Sequence, residues 1–250
     1  AFFIQMRNLK IVLEYDGAGY FGWQRQNGQR SIQETLEEKI QVITKEKVTV
    51  IGSGRTDTGV HALNQVANFR MMNGIREEEL LYALNSVLPD DIVIKELVET
   101  DPSFHARFDA KAKKYLYRIW NGRTDTALRR HYCWYVRKVL DIAPMLQASG
   151  HLTGTHDFKA FCGTGSKVKD YVRTVHHIGI EKEDPEMILI TITADGFLRH
   201  MVRNIVGTLV DAGKNRLSPG DVKAILASRD RKKAGMTAPA RGLFLVEVHY

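Results

Sequence analysis

The strongest constraint on folding is an order of hydrophobic periods. Leu9, Ile11, Leu13 and Tyr15 alternate with more polar neighbours, the period of a strand with one buried face, and the glycines of DGAGYFG end it. Ser31 followed by Glu34 is a capping-box pattern, after which Ile32, Leu36, Ile40 and Ile43 return at helical spacing. Residues 48–51 and 66–69 read as strands on either side of a glycine-rich loop. EEELLYALNSVL reads as a second helix and DIVIKELV as a further strand. Residues 1–105 therefore read β-α-β-β-α-β, which fits the split βαβ plan of two helices over one face of an antiparallel sheet.

Residues 106–250 repeat a similar plan without close sequence repetition. A strand, KKYLYRIW, is followed by a helix around 141–152, a strand pair through VRTVHHIGI and MILITITA, and a helix from about 198 to 212. SPGDVKAILAS adds a helix with Ser at its cap and Pro in its first turn, and GLFLVEVHY closes with Phe244, Val246, Val248 and Tyr250 alternating. The expected class is α+β: two ferredoxin-like or RRM-like βαββαβ units forming a mostly antiparallel sheet, with a central cleft for RNA between them. The boundary is placed at 105/106, in the turn-like DPSFHARF, which has no flexible-linker composition.

A chain of 250 residues, 44% hydrophobic, can bury a substantial core. Its apolar runs fall far short of the roughly 18 residues that cross a bilayer, so a soluble protein is expected, with no membrane partner. AFFIQM lacks a basic n-region and does not read as a secretory signal; Met6 is a candidate natural start, which would make residues 1–5 non-native. Cys133 and Cys162 are the only cysteines, which favours a reducing cytoplasm over a disulfide framework. No zinc spacing occurs, and His176 and His177, adjacent in a strand-like run, are expected on opposite faces, so no metal is expected.

Charge is divided unevenly. Residues 1–103 hold 11 basic and 15 acidic side chains, residues 104–250 hold 25 and 14, and the whole chain is +7. A basic second half attracts a polyanion by counterion release, although a solvated basic face has the same composition. KAKKYLYRIW and RRHYCWYVRK interleave Tyr and Trp with Lys and Arg, placing stacking faces beside phosphate-binding charge, so nucleic acid is the leading partner.

GSGRTDTGVHA, residues 52–62, sets three glycines around one carboxylate, Asp57. Gly52, Gly54 and Gly59 do not have the G-x-G-x-x-G spacing, and no G-K-[ST] follows, so a dinucleotide or Walker loop is not indicated. Taken alone, Asp57 reads as a turn or capping aspartate. GRTDTGVHA, together with YDGAGYFGWQRQ, FHARFDAKAKKYLYRI, GFLRHMVRNIVGTL and the terminal GLFLVEV, resembles in order the landmarks of the tRNA pseudouridine synthase A family, from about residue 9 to 250. Many members have GRTDAG where this chain has GRTDTG.

The resemblance implies an enzyme that isomerises uridine to pseudouridine in the anticodon stem-loop of tRNA, conventionally at sites 38, 39 and 40, with no cofactor. Asp57 would attack the sugar or base covalently, or remove a ribose proton. Arg203 would keep that carboxylate ionised; the apolar arc of Phe197, Met201, Ile205, Thr208, Val202, Val206 and Leu209 places Arg199 and Arg203 one turn apart at its edge, where an arginine otherwise snorkels. Tyr115 would stack on the target uracil and accept the C5 proton, although Tyr117 shares its strand face and core packing is the usual fate of such a tyrosine. Leu243 would pack against the base, Arg55 would help fill the gap left by the flipped nucleotide, and Gln24 would line the cleft. A homodimer with one tRNA spanning both subunits is implied as well. Two rivals remain at this point: a non-catalytic RNA-binding module, for which the RNP-type aromatic signature is missing, and a small-molecule nucleotide enzyme, for which the loop spacing is wrong.

Overall fold

The structure is a computed structural model that describes residues 6–166 and 168–250, so the expectation about residues 1–5 lies outside the described residues. The fold is mixed α+β with mostly antiparallel strand pairing, and the chain separates into two compact units. One runs up to Lys111 and includes Leu245–Tyr250; the other is Ala112–Phe244.

In the first unit, β1 (Arg7–Tyr15) lies between β3 (His61–Met71) and β4 (Ile92–Thr100), antiparallel to both. Leu9 faces Phe69 on one side and Glu99 on the other, and Ile11 faces Ala67 and Leu97. Leu9, Ile11 and Leu13 are fully buried, which by side-chain transfer contributes about 1.5–3 kcal/mol each. Helix α1 (Ile32–Thr44) packs on α2 (Glu77–Val87), and α2 on β4. Ser31 caps α1 by accepting from the Glu34 N–H, whereas α2 has no side-chain cap and begins with Glu77, Glu78 and Glu79, whose charges are favourable at the positive end of the helix dipole.

The strand expected at residues 48–51 is cut to β2 (Ile51–Gly52), which pairs antiparallel with β3 at Asn68 and Ala67. The reason is local: the Val50 N–H donates to Glu37 and the Val50 carbonyl accepts from Gln33, so side chains of α1 take the groups a ladder would have used. The division between the units also differs from the one expected at 105/106, because residues 104–111 are tied into the first unit. Asn8 Nδ2 donates to the Phe104 carbonyl, the Ala106 N–H to Asn68 Oδ1, the Tyr250 hydroxyl to the Ala106 carbonyl and the Lys111 N–H to the His249 carbonyl.

The second unit contains β5 (Ala112–Trp120), β6 (Trp134–Tyr135), α3 (Ile142–Gly150), β7 (Gly154–Asp157), β8 (Val172–Lys182), β9 (Met187–Ala194), α4 (Met201–Gly213) and α5 (Pro219–Ser228). Its strands run in the order β5-β9-β8-β7, antiparallel throughout, with β6 added parallel to β5. The three helices pack on one another and α3 lies on β8. Strand β10 (Leu243–His249) begins in the second unit and ends in the first; Leu243, Phe244 and Leu245 are all buried, so its alternation starts only beyond them.

Two expectations in this half are corrected. Helix α4 begins at Met201, after His200 in a left-handed conformation (φ 59°), so Arg199 precedes the helix instead of lying one turn before Arg203 on it. It is exposed and donates to the Thr164 carbonyl. A bulge between Val175 and His177 interrupts the alternation from which opposite faces were expected for His176 and His177, and both are exposed. Cys133 and Cys162 are buried thiols. Among the described residues no helix is long and apolar enough to cross a membrane.

Candidate active site

The loop that carries Asp57 is built by the segment before α1. Leaving β2, Ser53 stays on the edge of β3 through its N–H to the Val66 carbonyl (2.7 Å) and its hydroxyl to Gln65 Oε1 (2.6 Å), while Gln65 Nε2 donates to the Gly54 carbonyl (3.1 Å). The Thr56 carbonyl accepts from the Trp23 N–H at 3.1 Å and the Thr56 hydroxyl meets the Tyr15 hydroxyl at 2.8 Å. Beyond Asp57, the Val60 N–H closes a turn onto the Asp57 carbonyl and the Gly59 N–H reaches the Tyr20 carbonyl. The two motifs YDGAGYFGWQRQ and GRTDTGVHA are thus one structure, the first forming the bed on which the second lies.

Glycine is required where they meet. Gly22 adopts φ +84°, and a Cβ there would lie 3.0 Å from the Asp57 carbonyl carbon and nearer still to the Thr56 carbonyl oxygen. Thr56 and Val60 are buried, Asp57 is half-buried between them and Arg55 is exposed. The backbone on both sides of Asp57 is thus fixed, and its side chain keeps part of its surface exposed.

Arg55 and Gln24 are brought together. Arg55 Nε donates to Gln24 Oε1 (2.8 Å), and Gln24 Nε2 donates to Gln33 Oε1 (2.6 Å). Gln33 Nε2 donates in turn to Glu37 Oε1 (3.0 Å), whose second oxygen pairs with Arg25 at 2.7 Å. Gln33 and Glu37 are 8% and 7% exposed, a buried polar pair that the sequence reading passed over. Its signal was present: two polar residues at i and i+4 directly beside the Ile32, Leu36, Ile40 stripe.

In the second unit, Tyr115 and Tyr117 share one face of β5, opposite Ile192 and Ile190 of β9. Their surroundings separate them. Tyr117 is fully buried, donates its hydroxyl to the Pro239 carbonyl (2.7 Å) and meets Trp134 edge-on; burial pushes its hydroxyl well above the ordinary tyrosine range. Tyr115, 7% exposed, makes an edge-to-face pair with Phe197, with centroids 5.0 Å apart at 83°. Arg203, half-buried on α4, donates from Nε to the Ala238 carbonyl (2.7 Å), and the Ala238 N–H returns to the Arg203 carbonyl (3.1 Å). Leu243 is buried at the end of the turn 240–242. The second unit carries 23 basic against 12 acidic residues and the first 13 against 17, so the attraction for a polyanion belongs to the second.

A braced carboxylate loop lies in one unit, and a strand tyrosine and a braced arginine lie in the other, which is basic. The chain matches the tRNA pseudouridine synthase model over residues 11–109 and 148–250, and it belongs to that family. It is 49% identical over 245 residues to the tRNA pseudouridine synthase A of Acetivibrio thermocellus and 49% identical over 245 residues to that of Thermoanaerobacter pseudethanolicus. With that of Caldicellulosiruptor bescii it shares 48% identity over 245 residues; each alignment covers 98% of this chain and 100% of the relative. The protein is an isomerase that makes pseudouridine in tRNA.

Proposed function

We propose that the tRNA uridines isomerised are those at positions 38, 39 and 40 of the anticodon stem-loop, and that Asp57 is the catalytic carboxylate, acting without a cofactor. The observation that supports this most is the loop itself: a half-buried Asp57 held on its two sides by Thr56 to Trp23 and by Gly59 to Tyr20. The reaction breaks the N1–C1′ bond, turns the uracil and joins C5 to C1′; the C5 proton leaves and N1 gains one, so no electrons are exchanged. A carboxylate suffices, either as nucleophile or as the base that removes a ribose proton.

Arg203 supplies the guanidinium that keeps the carboxylate ionised, and Tyr115 stacks on the uracil and receives the C5 proton. Extruding the nucleotide costs a few kcal/mol, offset by Arg55 in the vacated stack, by Leu243 against the base and by phosphate contacts of the basic unit; Gln24 lines the cleft and orients Arg55. The antiparallel order β4-β1-β3-β2 supports a ferredoxin-like reading of the first unit, which carries the Asp57 loop; the second is read as its basic counterpart. The working assembly is a cytoplasmic homodimer with one tRNA across both subunits.

Tritium release from C5-labelled uridine in whole tRNA tests the assignment. Asp57→Asn should bind tRNA as tightly as the parent and release no tritium above background. Unchanged release would remove Asp57 from the chemistry, and equal release from free labelled nucleotide would overturn tRNA as the substrate.

A further inference from the structure

Between α5 and β10 the chain runs back along α4 as a strap, residues 231–242, and its root is a polar lock. Arg231 divides its two terminal nitrogens among four acceptors: the Gly235 and Ala234 carbonyls (2.9 and 3.3 Å), Asn204 Oδ1 (2.9 Å) and Thr237 Oγ1 (3.0 Å). Thr237 also donates to Asn204 Oδ1 at 2.6 Å, and Asn204, with no exposed surface, donates to the Phe161 carbonyl at 2.8 Å. Further along, the Gly235 N–H reaches the Thr208 hydroxyl, and a Cβ on Gly235 would fall 2.8 Å from Thr208 Cα, so strap and helix backbones are in contact.

Apolar packing would hold a strap to a helix but would leave it able to slide. A forked guanidinium with fixed acceptors sets the register instead. Register matters most one residue beyond Thr237, where Ala238 gives both its backbone groups to Arg203, and at Pro239, whose carbonyl receives the Tyr117 hydroxyl. A slip of one residue moves a carbonyl by about 3.5 Å, enough to break its hydrogen bond.

We propose that Arg231, with Asn204 and Thr237, is a positioning device for Arg203: the lock fixes Ala238, and Ala238 fixes the plane of the Arg203 guanidinium. The inference rests on the reading of Arg203 as a participant in the reaction. Lysine at 231 keeps the charge but has no fork, so Arg231→Lys should not rescue the function.

The experiment is single-turnover kinetics on tRNA with the full-length protein, for Arg231→Ala, Arg231→Lys, Thr237→Val and Arg203→Ala, and for each lock variant combined with Arg203→Ala. The expected result is a turnover loss of about tenfold or more for the Arg231 variants, a smaller one for Thr237→Val, tRNA affinity within about twofold, and no further loss in the Arg203→Ala background, because coupled sites are not additive. Full turnover in a folded Arg231→Ala protein overturns the proposal, as does a loss that simply adds to that of Arg203→Ala. Should Arg231→Ala fail to fold, Thr237→Val, which deletes one hydroxyl, is judged by the same two criteria. Wild-type turnover in Arg203→Ala would instead sink the role given to Arg203, a result distinct from a dead Arg203→Ala beside an active Arg231→Ala.

Discussion

The hydroxyls of Tyr15 and Thr56 meet at 2.8 Å in the interior of the first unit, one residue before Asp57 in the chain. The end of the strand that opens the fold is thereby joined to the loop that carries the candidate carboxylate; burial raises the Tyr15 hydroxyl to about 12, against the smaller lowering effect of its bonds to Thr56 and Gln65.

Tyr15→Phe should reduce stability by about 1–3 kcal/mol, since a buried Thr56 hydroxyl loses its partner, and should reduce turnover as the loop loosens. The pH dependence has a defined sign. A tyrosine raised from its ordinary 10.0 to about 12 in the folded state contributes stability that is complete below pH 10 and is lost as pH rises toward 12. Urea titrations across that window should show a shallower decline for Tyr15→Phe than for the parent. The decline should not vanish, because Tyr20, Tyr117 and Tyr250 are also shifted upward by burial. An unchanged slope would mean that Tyr15 is not protected in solution.

Gly22→Ala tests the bed of the loop. Its φ of +84° and the backbone of Thr56 and Asp57 against it leave no room for a methyl group, so the substitution should cost about 2 kcal/mol or more, as strain plus displacement of the loop. Turnover should fall further than the melting temperature suggests, with tRNA affinity nearly unchanged. Gly28→Ala is the control for the backbone term alone: its φ is +72° and nothing lies within 4 Å of the added carbon. Equal turnover in the two variants would count against the loop being held by residue 22.

Much of this fold was legible because periodicity and capping depend on near neighbours. β1, both helices of the first unit, the strand pair β8 and β9, and α5 with its Ser218 cap lie close to where their patterns put them. What was not legible depended on distant partners. β2 lost Val50 to side chains of α1, and residues 104–111 joined the first unit through Asn8, Asn68 and Tyr250. At the candidate site, the motifs named Gln24 and Arg55 but not Gln33 and Glu37 behind them, because a buried polar pair on a helix flank reads as solvated surface until its acceptors are seen. Likewise, identical period-two positions could not show that the Tyr117 hydroxyl is held by the Pro239 carbonyl, far along the chain.

The Gln24 relay carries a prediction of its own. Gln24→Ala removes the acceptor of Arg55 Nε, which should leave the exposed arginine unaligned and reduce kcat/KM for tRNA by roughly three- to tenfold, an effect of about 1 kcal/mol in transition-state binding. Arg55→Ala should do the same, and the double variant should be no worse than Arg55→Ala alone. Additive losses would show that Gln24 acts on RNA independently of Arg55.

Tyr115 and Tyr117 can be separated by the same conservative change. Tyr117→Phe deletes a hydroxyl whose hydrogen bond goes to the Pro239 carbonyl, so stability should fall by about 1 kcal/mol while turnover stays within about threefold of the parent. Tyr115→Phe keeps the ring against Phe197 and, on the proposed role, removes the group that takes the C5 proton, so tritium release should slow by about 100-fold, the scale of a lost general acid–base group, a loss much larger than any accompanying change in stability would produce. The two outcomes are opposite in kind, one thermal and one kinetic. If Tyr117→Phe were the slow variant and Tyr115→Phe the unstable one, the roles of the two tyrosines would be exchanged, and Pro239 would border the reacting base.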